Sequence, residues 1–442
     1  MEHSPPTRRG FLAGLGLAGL AAAAGCAAPA ALGSGRTHVR LWHFLGGGDG
    51  IILTGMLDKY RKQHPAIDLE ADTLAWGEPF YTKVAMAGAG GRAPDLTTFH
   101  MARLPGFGPG RLLDPVDLDL LTEVGIHKSD FSDGVWQRAH VNGTLYAVPF
   151  DAHPFVMYYN TKFCEKAGLL DADGKLKKTE GPEAFLAQLR AAKKAAGTDY
   201  ALLVDSLGTG TVGPWRLFWS LYPQSGGTLL NPGGTALAID DTKLLTTLTF
   251  MRRMAEEKLL NPTTDYGGAS SGFASGTAPF FFNGDWDVST MVAAKTPFSM
   301  TRFPSIFGGW SAEADSHSFV FPHRNSRDPQ VQKASYEFIA WMLKNSVEWG
   351  KAGHIPAYLP VHQDPAYLAL EPQSEYRDVI NDVAYDPSAW FSGSASKLEL
   401  DLGSVYSTVL GGSRTPAQGV AATKDVLTTL LKAPNPFPGG AS

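Results

Sequence analysis

Hydrophobic and polar positions follow two alternating periods along this chain. Residues 39–44 (VRLWHF) alternate and then run apolar, as a sheet strand does, while Ile52, Met56, Leu57 and Tyr60 keep helical spacing. His64-Pro65 stops that helix, and 67–70 (IDLE) reads as the next strand. A second helix is expected over 78–87 and a further short strand over 93–99. Repeated strand–helix units predict a largely parallel sheet covered by helices. The stretch 145–160 (LYAVPFDAHPFVMYYN) is long and extended, because Pro149 and Pro154 prevent a continuous helix. It suits a hinge strand passing between two lobes. Further helices are expected over 183–196, 243–258, 331–345 and 416–431, with an aromatic cluster at 215–222 and a turn at Ser225-Gly226-Gly227.

The first residues break this pattern. Arg8-Arg9 precede an apolar run from Phe11 to Ala24, and small residues lead on to Cys26, which is the three-part shape of an export signal. The run is too short for a comfortable membrane span. Thr7-Arg8-Arg9-Gly10-Phe11-Leu12 resembles a twin-arginine signal, and Ala23-Ala24-Gly25-Cys26 resembles a bacterial lipobox with Ala23 in place of the usual Leu. These features predict a signal peptide over 1–25, lipidation of Cys26 and a flexible tether over 26–36. Cys164 is then alone, and is expected to be a buried small hydrophobe.

Composition narrows the function. With 442 residues, 44% apolar and 18% charged, the chain can bury a large core and form more than one domain. A net charge of −5 argues against nucleic acid as a partner. The 10 Trp and 14 Tyr suit a surface that stacks on ring-shaped ligands. Catalytic signatures are weak. Gly14-x-Gly16-x-x-Gly19 has no strand before it, and Ser394-x-x-Lys397 lacks its companion motifs. Asp171-x-Asp173-Gly174 has Pro182 where a calcium loop needs Glu, so it reads as a surface turn. The 12 His lack the close pairs of a helical zinc site, and His317 and His323 read as surface polar residues. No metal or other cofactor is expected.

Five stretches, in order, resemble one family: the extracellular solute-binding proteins of ABC importers, of the maltodextrin-binding type (family 1). They are 39–48; Gly90-Gly91-Arg92-Ala93-Pro94-Asp95; Leu112-Leu113-Asp114-Pro115; 142–149 (NGTLYAVP) followed by Tyr158-Tyr159-Asn160; and Phe273-Ala274-Ser275-Gly276 with 281–286 (FFNGDW). The resemblance covers about 37–431. It implies an α/β, two-lobed periplasmic-binding-protein-like fold, each lobe a mostly parallel sheet flanked by helices, with the ligand cleft between the lobes. Lobe one would take 37–149 plus 300–350, and lobe two 150–299 plus 351–442.

The implied function is capture of a mono- or oligosaccharide by lobe closure and delivery to the transmembrane subunits of an ABC permease. The protein would be a monomer without catalysis, exported and lipid-anchored to the outer face of the bacterial cytoplasmic membrane. A sugar ring has apolar faces and a hydroxyl rim, so aromatic and polar residues would share the site. Carried over by motif, the ligand-binding candidates are Trp42, His43, Asp49, Phe99, His100, Arg103, Asp151, His153, Trp215, Asp285, Trp286, Trp310, His354 and Trp390. Two rivals remain. One is the same fold with a glycerophosphodiester or another polar solute, for which Arg103, Arg324 and His153 are the candidate cations. The other is an exported glycoside hydrolase using two carboxylates.

Overall fold

The computed structural model describes residues 35–207 and 211–435. The expected signal peptide, Cys26 and all but the end of the tether lie outside the described residues. The expected helices and strands form close to their expected limits. The turn after the first strand, for example, leads directly into helix Gly48–Gln63, with Leu53, Met56, Leu57 and Tyr60 buried.

Two sheets organise the chain. The first runs Ile67–Thr73, Thr37–His43, Leu96–His100, His317–Pro322, Leu113–Asp114, with Ala147–Pro149 also paired to His317–Pro322. Its first three strands are parallel, whereas His317–Pro322 is antiparallel to Leu96–His100. In the second sheet Asp151–Asn160 pairs antiparallel with Phe280–Gly284, Phe298–Arg302, Ala312–Asp315 and Ile355–Pro356. The expectation of mostly parallel sheets is therefore corrected: both are mixed. A strand that returns from the other lobe needs no crossover helix, so it can run against its neighbour.

Strand Asp151–Asn160 is buried along its whole length. Ala152, Val156 and Tyr158 face one core, and Phe155, Met157 and Tyr159 face the other. Burial on both faces explains why 154–159 (PFVMYY) is apolar without polar alternation. The chain returns to the first sheet at Ser316, not near 300, because Phe298–Arg302 and Ala312–Asp315 both pair with Asp151–Asn160. At the junction three segments lie side by side. The Phe150 N–H donates to the His317 carbonyl at 2.8 Å, and the Ala357 N–H donates to the Phe150 carbonyl at 3.0 Å. Cys164 is fully buried, and burial lifts its thiol pKa to about 12.

One glycine fixes the third crossing. Gly353 has φ +109°, and a Cβ there would sit 1.9 Å from the Asp285 carbonyl oxygen. Gly353→Ala should therefore destabilise by at least about 1–3 kcal/mol, the usual cost of forcing an L-residue into such a conformation. Gly55 lies exposed within helix Gly48–Gln63 with open space around it. Gly55→Ala should instead stabilise by about 0.5–1 kcal/mol. Urea midpoints of the two variants check both signs.

Behind the junction, Glu313 is buried with Arg216, Asp315, Asp386 and Glu399 around it. Burial raises its pKa to about 8, against the opposing Arg216 guanidinium. Its folded-state pKa lies above its unfolded one, so the folded chain binds the proton more tightly. Stability is then lost as pH rises from the ordinary carboxylate range through about 8. Glu313→Gln should raise the melting temperature at about pH 9 and change it little at about pH 5. Scanning calorimetry showing a loss at both pH values would contradict this.

Candidate ligand-binding cleft

Between the two sheets lies a cavity of about 420 Å3. Its apolar walls are Phe44, Trp76, Tyr266 and Trp286. Its polar groups are Asp49, His100, His153, Asp205, Thr211, Arg216 and His317, and the Leu45-Gly46-Gly47 turn forms part of the rim. Gly48, which follows that turn, is needed for close packing. A Cβ on Gly48 would lie 2.7 Å from the Ser289 side chain, which belongs to the segment after strand Phe280–Gly284. Asp49 falls in the first turn of the helix, where a carboxylate is favoured by the helix dipole, and its Oδ1 accepts from the Gly50 N–H at 2.7 Å. Trp286 follows strand Phe280–Gly284. Its Nε1–H donates to Tyr266 Oη at 3.1 Å, and the Arg216 guanidinium lies 4.8 Å from its ring centroid.

The floor of the cavity is a cluster of imidazoles on one carboxylate. Asp151 and His153 are two apart on a strand, so both point to the same side. Asp151 Oδ1 contacts His153 Nδ1 at 3.0 Å and accepts from the His317 backbone N–H at 2.8 Å. Its Oδ2 contacts His317 Nδ1 at 2.7 Å and accepts from Trp349 Nε1–H at 2.6 Å. His354 stacks on Trp349 at 4.6 Å and places Nδ1 3.4 Å from Asp285 Oδ1. His100, its Nδ1 2.6 Å from Tyr81 Oη, stacks on Phe44.

Burial and neighbouring charges set the protonation of these groups. Burial would raise the Asp151 pKa, but the imidazoles of His317 and His354 hold it well below the carboxylate range. Burial and the adjacent His317 push His153 down to about 3, so that ring is neutral at pH 7. Burial likewise lowers His100, with His317 and His153 adding to the effect. Burial would lower His354 too, but Asp151 and Asp285 raise it to about 9. Burial lifts Asp285 to about 6, with His354 opposing.

Of the residues expected from sequence, Asp49, His100, His153 and Trp286 line the cavity. Asp151, Asp285 and His354 lie directly behind it, fully buried. The others serve elsewhere. Trp42 is on the opposite face of its strand from His43 and lines a separate surface groove with Lys83 over its ring. His43 is buried against Thr73, and Phe99 packs in the core against Tyr81 and Phe107. Arg103 is held by the carbonyls of Ser394 and Ala395. Trp215 is a core residue whose Nε1–H donates to Asp386 at 3.0 Å. Trp310 lies over another groove, bonded to the Phe303 carbonyl, and Trp390 packs against Phe391. These aromatics were expected in the cleft, but core and lobe packing claims them.

His317, expected at the surface, is instead in the cavity wall. His323 pairs with Asp114 away from the cleft. Phe44, Trp76, Asp205, Thr211, Arg216 and Tyr266 were not anticipated. Arg216 sits inside the aromatic cluster at 215–222, from which only Trp215 was expected in the cleft, and Tyr266 had no motif around it. Only the paired placement of the two sheets brings them to one cavity.

Residues 49–349 match the family described as bacterial extracellular solute-binding protein. No curated protein matches the sequence. Among solved structures, the GacH receptor of Streptomyces glaucescens, solved unliganded and with acarbose, is 18% identical with a TM-score of 0.75, over 90% of this chain and 99% of that one. The sugar-binding protein MalE of Xanthomonas citri is 19% identical with a TM-score of 0.74, over 90% and 98%. The cyclic α-maltosyl-1,6-maltose binding protein of Arthrobacter globiformis is 19% identical with a TM-score of 0.71, over 90% and 99%. At these identities the likeness establishes the two-lobed fold. The family match spans well over half of the sequence and the fold agrees with it, so this chain belongs to the bacterial extracellular solute-binding protein family.

Proposed function

We propose that this protein captures a mono- or oligosaccharide in the cleft between its lobes and hands it to the transmembrane subunits of an ABC importer, without catalysing a reaction. The observation that carries this reading is the composition of one cavity. Trp286, Tyr266, Trp76 and Phe44 offer faces for the apolar side of a sugar ring, while Asp49, Asp205, Arg216 and the imidazoles offer donors and acceptors for its hydroxyls. A volume of about 420 Å3 is within the range of small-molecule sites. Each hydroxyl bonded to a charged group is worth about 1.5–3 kcal/mol, and exclusion of water on closure strengthens it. The solved relatives support the same reading, since several were crystallised with oligosaccharides.

A phosphate-bearing ligand is less well served. Arg103 and Arg324 are engaged outside the cleft, Arg324 by Asp95, and Arg216 is the one Arg or Lys lining the cavity among the described residues. The reading includes export by the twin-arginine-like signal, anchoring through lipid on Cys26 and action as a monomer.

Trp286→Ala should weaken binding of the best-bound sugar from a carbohydrate panel by at least about tenfold, roughly 1.4 kcal/mol, in titration calorimetry. The melting temperature should stay nearly unchanged, because Trp286 is only half-buried. Unaltered affinity would remove Trp286 from the site. Saturable binding with no change in the sugar is the expected outcome for the wild type; release of a cleaved glycoside would overturn the assignment in favour of a hydrolase.

A further inference from the structure

The imidazole cluster on the cleft floor has a second reading, independent of which solute the cleft takes. We propose that Asp151, His153, His317 and His354 form a binding site for one transition-metal ion of the zinc class. One ligand atom from each of the four lies within 4.8 Å of the others, and all four residues are buried. Three imidazole nitrogens and one carboxylate oxygen are the donor set that zinc-class ions prefer, whereas calcium and magnesium take oxygen ligands.

The spacing is close to what coordination needs. Asp151 Oδ1 is 3.0 Å from His153 Nδ1, and Asp151 Oδ2 is 2.7 Å from His317 Nδ1 and 3.8 Å from His354 Nδ1. Donors around a tetrahedral zinc with bonds of about 2.0–2.1 Å lie about 3.3 Å apart, so donor atoms that already lie within 4.8 Å of one another need only draw together to assemble the site. The rings are arranged accordingly: His153 and His317 are nearly parallel at 4.2 Å, and His354 stands almost perpendicular to both. Binding through Nδ1 places the single proton of each neutral ring on Nε2.

Two observations go beyond a hinge network. Among the described residues neither nitrogen of the fully buried His354 makes a well-formed hydrogen bond; its charged neighbours are Asp285 Oδ1 at 3.4 Å, Asp151 Oδ2 at 3.8 Å and Asp49 Oδ2 at 4.0 Å. Groups of this kind ordinarily find partners. One supporting contact of the kind that holds a metal ligand in place is also present. The Trp349 Nε1–H fixes Asp151 at 2.6 Å. His153 and His317 form the cavity wall, which gives an ion a route in from the cleft.

The test uses tag-free, full-length protein dialysed against chelator, titrated with Zn2+ and, separately, Co2+, with no sugar present. The expected result is one saturable Zn2+ site of micromolar or tighter affinity and the intense visible absorption of four-coordinate Co2+. His354→Ala should weaken Zn2+ binding at least tenfold, and His323→Ala should leave it unchanged. Absence of saturable binding, a six-coordinate Co2+ spectrum, or equal affinity in His354→Ala would overturn the proposal. The Co2+ spectrum of the wild type decides the matter even if the His354 variant folds poorly. A sugar titration run separately keeps failure of the solute reading distinct from failure of the metal site.

Discussion

The buried carboxylate of Asp151 is the constraint on which the rest of the structure depends. An unpartnered charge at this depth would cost several kcal/mol, so it must be surrounded by donors. The donors come from three separate stretches of chain: His153 from its own strand, His317 with both its backbone and its ring, and Trp349. These are the stretches at which the chain crosses between sheets. One carboxylate therefore ties the crossings together, sets the cavity floor, and places His153 and His317 where a ligand would meet them.

That constraint also separates the two kinds of aromatic residue in the protein. Trp349 stays in the junction because its N–H is needed by Asp151, and Trp215 stays in the core because its N–H is needed by Asp386. Trp286 donates its Nε1–H to Tyr266 at the cavity edge and keeps one ring face near Arg216. A buried indole with a fixed partner packs lobes; a half-buried one beside a cavity is free to pack a ligand.

The two-lobed fold was legible because its signals are local. Helical spacing in 52–60, the prolines that keep 145–160 extended, and five ordered motifs all survive in the one-dimensional chain. The direction of the strands was not, because parallel and antiparallel partners of a fully buried strand demand the same apolar residues. The site was half legible. Asp49, His100, His153 and Trp286 sit in or beside recognisable motifs. Trp42 and Phe99 sit in such motifs too, but strand alternation and core packing turn them elsewhere. His317 was misread because isolated polar residues near a turn are ordinarily at the surface. Its burial follows from Asp151, 166 positions earlier in the chain.

The most direct test of the central claim is a crystal structure of the protein with its tightest-binding carbohydrate. The expected structure has a sugar ring against Trp286 with hydroxyls on Asp49, Arg216 or the floor imidazoles, and the two lobes closed around it. A sugar bound in the surface groove beside Trp42, or a cleaved product in the cleft, would contradict it.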